Sequence, residues 1–155
     1  MLRVVLAAVL ATAVLGASLP AVEDARADRT ATALDASIAR VSAAGSALAV
    51  GNDAPSTAVA PTRTVAFSLP QPTWTAAAVE YVAVGGSPGG PGNRSAVTYA
   101  TEGGGEVRRL LSVPVPVRTP RGPVVFRGRG ERTISLSLRA TADGPVLVVG
   151  RGGRT

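Results

Sequence analysis

The chain contains neither cysteine nor histidine, and all sixteen of its basic residues are arginine, so lysine is absent as well. Without cysteine, no disulfide can support the fold. The lack of both cysteine and histidine excludes thiol nucleophiles, histidine-based catalytic triads and the usual zinc sites. The lack of lysine excludes Schiff-base chemistry and Ser-Lys dyads.

Nucleotide-binding motifs are missing, and the remaining carboxylates make a poor catalytic site. No glycine-rich stretch precedes Lys-Ser or Lys-Thr, and Gly128-Arg129-Gly130 is followed by Thr133 where a dinucleotide fingerprint requires glycine. Glu102 and Glu106 flank three glycines, and paired acids of this kind can hydrolyse glycosides. The pattern is more typical of a solvated hairpin, and two carboxylates fall short of the roughly six to eight oxygen ligands that calcium takes. We therefore predict no enzyme activity, no cofactor and no metal.

Aromatic residues are few: two Phe, two Tyr and one Trp in 155 residues. The core is therefore expected to consist mainly of Val, Leu and Ala. Trp74 is predicted to cover that core as a lid rather than to form a platform for a ligand.

An uncharged, mostly apolar run extends from Val4 to Val22, behind a single Arg3 and ahead of Glu23 and Asp24. Its nineteen residues are just long enough to span a bilayer, since about 20 residues cross ~30 Å of hydrocarbon. The run can act as a single-pass membrane anchor or as a cleaved secretory signal, because Ala25-Arg26-Ala27 is an A-x-A site. Since a basic residue precedes the run and acids follow it, we expect residues 28–155 to lie outside the cytoplasm, anchored or secreted.

Residues 23–50 continue with a helical apolar stripe that includes Ala31, Leu34, Ile38, Val41 and Leu48. So thin a stripe needs a partner surface, which is either the chain's own β domain, the favoured option, or a neighbouring subunit. Residues 51–62 have the composition of a linker.

Beyond the linker the apolar period changes from 3.6 to 2, as in half-buried strands. Segments of this kind occur around 64–69, 78–84, 95–101, 106–113, 123–126, 133–139 and 145–150. About seven short strands separated by Gly and Pro turns favour a small antiparallel sandwich or roll. The alternating Val-Pro segment 113–117 is predicted to be an edge or a crossover, because proline donates no ladder hydrogen bond.

The sequence thus predicts an α+β protein in which an N-terminal hydrophobic helix continues into an amphipathic helix and is followed by a β domain. The predicted segments are an anchor or signal at 1–22, the amphipathic helix at 23–50, the linker at 51–62, the β domain at 63–150 and a tail at 151–155.

Positive charge is concentrated in the last third, where residues 108–155 hold ten Arg against two acids. Clustered guanidinium groups attract anions such as phosphates. Candidate anion-binding residues are Arg108, Arg109, Arg118, Arg121, Arg127, Arg129 and Arg132. An anionic surface or polysaccharide is favoured over nucleic acid as the partner, because the domain is expected to be exported; a merely solvated basic face is the simpler interpretation.

Asn93-Arg94-Ser95 matches the acceptor pattern for N-glycosylation and follows the Gly/Pro-rich segment 85–92. An exposed loop in an exported domain would suit that modification at Asn93.

The layout of an apolar helix, an amphipathic continuation, a linker and a compact β domain resembles that of type IV pilin-like proteins, including minor pilins and pseudopilins. The Ala-, Val- and Arg-rich composition also resembles that of small exported, membrane-anchored proteins of haloarchaea. The resemblance implies a non-enzymatic accessory or structural subunit of a pilus-like or secretion assembly, with the membrane and other subunits as partners. The alternative is a secreted or anchored binding module that holds an anionic ligand on its Arg-rich face.

Overall fold

A computed structural model describes residues 2–51 and 60–153, and its first element is one continuous helix, α1, from Leu2 to Val50. At 1.5 Å per residue, α1 is about 74 Å long. The helix continues through Pro20 without a break. Within the apolar half the hydroxyl groups bond inside the helix: Thr12 Oγ1 donates to the Ala8 carbonyl at 2.6 Å and Ser18 Oγ to the Leu15 carbonyl at 3.0 Å. These polar side chains therefore need no outside partner.

Eight strands follow in the described residues, close to the segments predicted from the alternating pattern. In chain order they are β1 Thr62–Leu69, β2 Val79–Val84, β3 Ala96–Thr101, β4 Glu106–Leu110, β5 Val117–Arg118, β6 Val124–Phe126, β7 Gly130–Thr141 and β8 Gly144–Arg151. The predicted α+β class, an N-terminal helix followed by a small and mainly antiparallel β domain, is confirmed.

The strands form two four-stranded sheets, ordered β1-β7-β8-β5 and β4-β3-β2-β6. All pairings are antiparallel except β5 with β8, where Val117 is opposite Leu147. Ala142 and Asp143 form the two-residue loop between β7 and β8, and Gly144 follows with a φ of 111°. A positive φ of this kind is easily adopted only by glycine, which explains the Asp-Gly signal.

The Val-Pro segment 113–116 crosses from β4 in the second sheet to β5 at the edge of the first. Val113 and Val115 are half-buried against the core, whereas Pro114 and Pro116 are exposed. Both features of the prediction, an edge position and a crossover, apply here because proline cannot supply the ladder donor that a central strand needs.

The core lies between the two sheets and the C-terminal half of α1. The helix stripe supplies Leu34, Ile38, Val41 and Leu48, which are at most 9% exposed. The sheets contribute Phe67, Val82, Val84, Val97, Tyr99, Ile134, Leu136 and Leu147, among others. Helix and sheets therefore share a single core, as two-layer packing requires.

Gly45 sets the close approach of α1 to the sheet. A Cβ at this position would lie 2.9 Å from Leu147 Cδ2 and 3.2 Å from Val113 Cγ2. A larger side chain would therefore push the helix away from the first sheet.

The edge strands β1 and β4 both contact α1. Ser37 Oγ donates to the Ser68 carbonyl of β1 at 3.4 Å, and Asp35 accepts an ion pair from Arg109 of β4 at 3.0 Å. The helix therefore lies along the side where the two sheets leave their outer strands uncovered.

Candidate functional site

The two halves of α1 differ completely in burial. Every residue from Leu2 to Ala25 is exposed, whereas Thr30 and, farther along, seven residues from Leu34 to Leu48 are buried. The exposed half is apolar and long enough to cross a membrane. One rigid element thus presents an uncovered apolar rod at one end and holds the β domain at the other.

The predicted interaction stripe lies inside the chain's own core. Leu34, Ile38, Val41 and Leu48 are buried, and Ala31 is half-buried against them. The stripe is consequently occupied by the β domain, and any neighbouring subunit would have to contact a different surface.

The β1–β2 connection is fastened to α1 just beyond the apolar run. Arg26 Nη2 donates to the Thr73 carbonyl at 3.1 Å, and the Ala77 amide donates to the Arg26 carbonyl at 3.2 Å. Thr30 Oγ1 adds a buried hydrogen bond of 2.9 Å to the Ala77 carbonyl. These three bonds fix the connection at the level where the helix becomes polar.

The prediction that Trp74 covers the core is wrong. Its side chain is 87% exposed, and it lies with Thr75 at the tip of a tight turn between Thr73 and Ala76. The indole lines a crevice of about 320 Å³ together with α1 residues from Ser18 to Arg29. Sequence reasoning missed this position because it assumed that the single Trp of a small domain belongs to its core, and the flanking Pro70 and Pro72 were the available signal for an exposed turn.

The seven predicted anion-binding arginines do not form one face. Arg108 and Arg109 are on β4, Arg118 and Arg121 are on β5 and the loop after it, and Arg127, Arg129 and Arg132 surround the start of β7. Since β4 and β6 are opposite edges of their sheet, the first pair is separated from the last group. Arg109 is also engaged by Asp35 through Nε at 3.0 Å and Nη2 at 3.3 Å.

Three arginines from separate elements do meet in one cavity. Arg127, Arg132 and Arg151 line a space of about 450 Å³, with Glu131 as the acid in the lining. An adjoining cavity of about 650 Å³ shares Val125 and Arg151 and adds Arg121. Together these cavities form a groove, which we call the arginine groove, near the edge where β6 approaches β8.

Arg151 is the residue of this groove that the sequence did not single out. It was assigned to the tail, but it is the last residue of β8, and its partner in the register is Ile134. Its Nη2 donates to the Val125 carbonyl at 2.6 Å, and its guanidinium lies 5.8 Å from the centre of the Phe126 ring. The end of an apolar strand, one residue after Gly150, was the signal for placing Arg151 in the sheet.

The two carboxylates considered for catalysis have different surroundings. Glu102 lines a small cavity with Glu23 and Arg26. Glu106, on β4, accepts hydrogen bonds from Tyr81 and from Ser87, the latter at 3.4 Å. Desolvation, together with the hydrogen bond and the charge of Glu106, raises the pKa of Tyr81 to about 12. Within residues 2–51 and 60–153, no cluster of three or more acidic side chains is suited to holding a metal ion.

Asn93 is exposed in the loop between β2 and β3. The loop is anchored on both sides of it, because the Thr119 amide and hydroxyl both donate to the Gly92 carbonyl, and the Arg94 amide donates to the Gly85 carbonyl. The Asn93 side chain is therefore accessible on a fixed loop, as a glycan acceptor would need to be.

A family model described as a domain of unknown function, DUF7311, matches residues 1–152, nearly the whole chain. No curated protein and no solved structure matches the chain significantly. The match covers the exposed helix half, the buried half and the β domain alike, and the chain belongs to the DUF7311 family.

Proposed function

We propose that this chain is a non-enzymatic, single-pass membrane protein whose β domain lies outside the cytoplasm, where it serves as an accessory or structural subunit of a pilus-like or secretion assembly. The observation that supports this most is the division of α1 into an exposed apolar half and a half buried in the β domain. An apolar helix of this length that no part of its own domain covers needs lipid or other subunits around it.

The orientation follows from the charges at the two ends of the apolar run. Arg3 precedes the run, and Glu23 and Asp24 follow it. Because positive residues stay on the cytoplasmic side, the β domain is placed outside.

The assembly contact then falls to the exposed half of α1. The stripe from Ala31 to Leu48 is already used inside the chain. Side-by-side packing of the apolar halves within the membrane is the arrangement that leaves the β domains on the outer surface.

Single-cysteine cross-linking tests this proposal, because the natural chain has no cysteine to interfere. Cysteine is introduced at single positions along the apolar half, for example Ala11→Cys and Ala17→Cys, with Ala142→Cys in the exposed β7–β8 loop as the matched control. Native membranes are oxidised and the adducts are identified by mass. We expect adducts that recur with helical spacing in the apolar half and are absent for Ala142→Cys.

Two results would refute the proposal in different ways. Recovery of the native protein only from the culture fluid, with an N-terminus at Asp28, would show a cleaved signal and remove the anchor. A full-length protein in the membrane that forms no adduct from any helix position would leave the anchor and refute the assembly role.

The second candidate function is an anion-binding module, which the convergence of Arg127, Arg132 and Arg151 on one cavity favours. Planar guanidinium groups at close quarters suit sulfate or phosphate groups of a polyanion. Binding to immobilised heparin measures this property, and we expect the triple Arg→Gln variant at these positions to elute at lower salt than a matched triple variant.

The matched variant replaces Arg63, Arg94 and Arg139, which are exposed and outside both cavities, so the net charge changes equally. Far-UV circular dichroism establishes that both variants are folded. Equal shifts in elution would mean that only net charge matters and would refute a specific groove.

A further inference from the structure

The geometry points to Trp74 as a second membrane contact: we propose that the Thr73–Ala76 turn seats its indole in the interfacial layer of the bilayer that α1 spans, so that the β domain is held against the membrane surface. This inference rests on the proposed anchor and adds a site, the turn, that lies far from the apolar run in sequence.

The first step is the position of the turn along α1. Arg26, which holds the Thr73 carbonyl, is four residues beyond Val22, or about 6 Å along the helix axis. The polar layer on each side of the hydrocarbon is roughly 5–8 Å thick. When Val4–Val22 spans the hydrocarbon, the turn therefore lies in that layer.

The second step is the direction in which Trp74 is presented. The helix residues of its crevice are Ser18, Ala21, Val22, Ala25, Arg26 and Arg29, whose spacings of three and four place them on one side of α1. Three of these residues belong to the apolar run itself. The indole is thus continuous with the surface that lipid would cover.

The third step is rigidity, because a mobile loop would gain little from shallow insertion. The Thr73 amide donates to the Ala76 carbonyl at 3.0 Å and the Ala76 amide donates to the Thr73 carbonyl at 3.3 Å, which closes the turn. Arg26 and Thr30 fasten the turn to the helix. The indole is therefore presented at a fixed level, with little ordering entropy left to lose on insertion.

The fourth step is the chemistry of the side chain. Trp is enriched at membrane–water interfaces because its ring is apolar while its Nε1–H keeps a hydrogen bond. Arg26 and Arg29 can direct their guanidinium groups to lipid phosphates while their methylene stems remain at the apolar boundary. Asp24 and Asp28 lie at the same level but do not line the crevice, so the contact is carried by the indole and does not require anionic lipid.

The test uses the full-length protein in phosphatidylcholine vesicles, with Trp74 as the single natural fluorophore. Vesicles are prepared with acyl chains brominated near the headgroup or near the methyl end, and aqueous iodide is the opposing quencher. We expect Trp74 to be quenched severalfold more by the shallow bromine than by the deep one, and to be protected from iodide.

Two matched variants, both built on Trp74→Phe, calibrate the depth. Leu10→Trp places the fluorophore within the span and is expected to respond most to the deep bromine. Leu110→Trp, at the 78% exposed far end of β4, is expected to respond to iodide alone. Both positions are exposed in the fold, so neither substitution disturbs the core.

Each outcome decides a different claim. Failure of the protein to float with vesicles would refute the anchor and with it this inference. Flotation with iodide-accessible, bromine-insensitive Trp74 would leave the anchor and refute the interfacial contact. Protection from iodide without bromine quenching would also refute it, because protein rather than lipid would then cover the indole.

Discussion

The two halves of α1 have similar lengths and similar alanine content, yet the fold uses them in opposite ways. The half from Leu2 to Ala25 has apolar side chains on all sides and contributes nothing to the buried core, whereas the half from Arg26 to Val50 has a narrow apolar stripe and forms one wall of it. The difference shows that distribution around the helix, more than total hydrophobicity, decides which half folds against the domain. A stripe fits one surface, while an all-round apolar helix needs an apolar solvent.

The largest effect on the domain half is expected from Ile38→Asp. Its side chain is 5% exposed in the core, so the variant buries an unpaired carboxylate and should lose about 4–5 kcal/mol of unfolding free energy or fail to fold. Urea unfolding in micelles, followed by circular dichroism, measures the loss. Ala36→Asp, exposed on the same helix, should lose less than about 1 kcal/mol; equal losses from both variants would contradict the division between the faces.

The corresponding change in the apolar half is Val14→Asp, near the middle of the run. A carboxylate there should cost about 3 kcal/mol in membrane insertion while leaving the unfolding of the β domain unchanged. Alkaline extraction of membranes measures retention, and the same urea experiment measures the domain. Destabilisation of the β domain by Val14→Asp would show that the two halves are coupled.

Gly45→Val tests how closely the domain half must approach the sheet. The added side chain would collide with Leu147 and Val113, and we expect a loss of about 1–3 kcal/mol in unfolding free energy. Ala43→Val, exposed on the same helix, introduces the same side chain without that contact. A melting temperature that falls equally in the two variants would mean that helix propensity, not the close approach, explains the effect.

The smallest effect is expected from Arg109→Gln, which removes the ion pair with Asp35. Both side chains are nearly half exposed, at 47% and 42%, so the pair should contribute less than about 1 kcal/mol. Asp35→Asn should cause a similar loss, and the double variant should lose no more than the larger single loss, as a double-mutant cycle would show. A larger coupling energy would mean that charge, rather than the apolar stripe, holds the helix to β4.

Much of the fold could be predicted because its signals are local. The change from a 3.6 to a 2 period, the Asp143-Gly144 turn and the prolines at 114 and 116 each indicate a structure through their own backbone preferences. The candidate site was far less predictable. Whether Arg127, Arg132 and Arg151 share a cavity depends on how β6, β7 and β8 are arranged, and strand order leaves no local signature.

Trp74 shows the same limit from the other direction. Its composition-based assignment to the core failed because the turn that carries it is fixed by hydrogen bonds to Arg26 and Thr30, more than forty residues earlier in the chain. Such contacts depend on the helix passing beside the end of β1, which a sequence window cannot contain.

The sequence by itself determined the apolar run, the helix stripe, the alternating strands and the absence of histidine, cysteine and lysine chemistry, because each is a property of residue type and spacing. Only the tertiary structure decided that the stripe is spent inside the chain, that the basic residues divide into separate groups and that the single Trp lies beside the end of the apolar run. These are relations between residues distant in sequence, and they exist only once packing has brought the two sheets and the helix together.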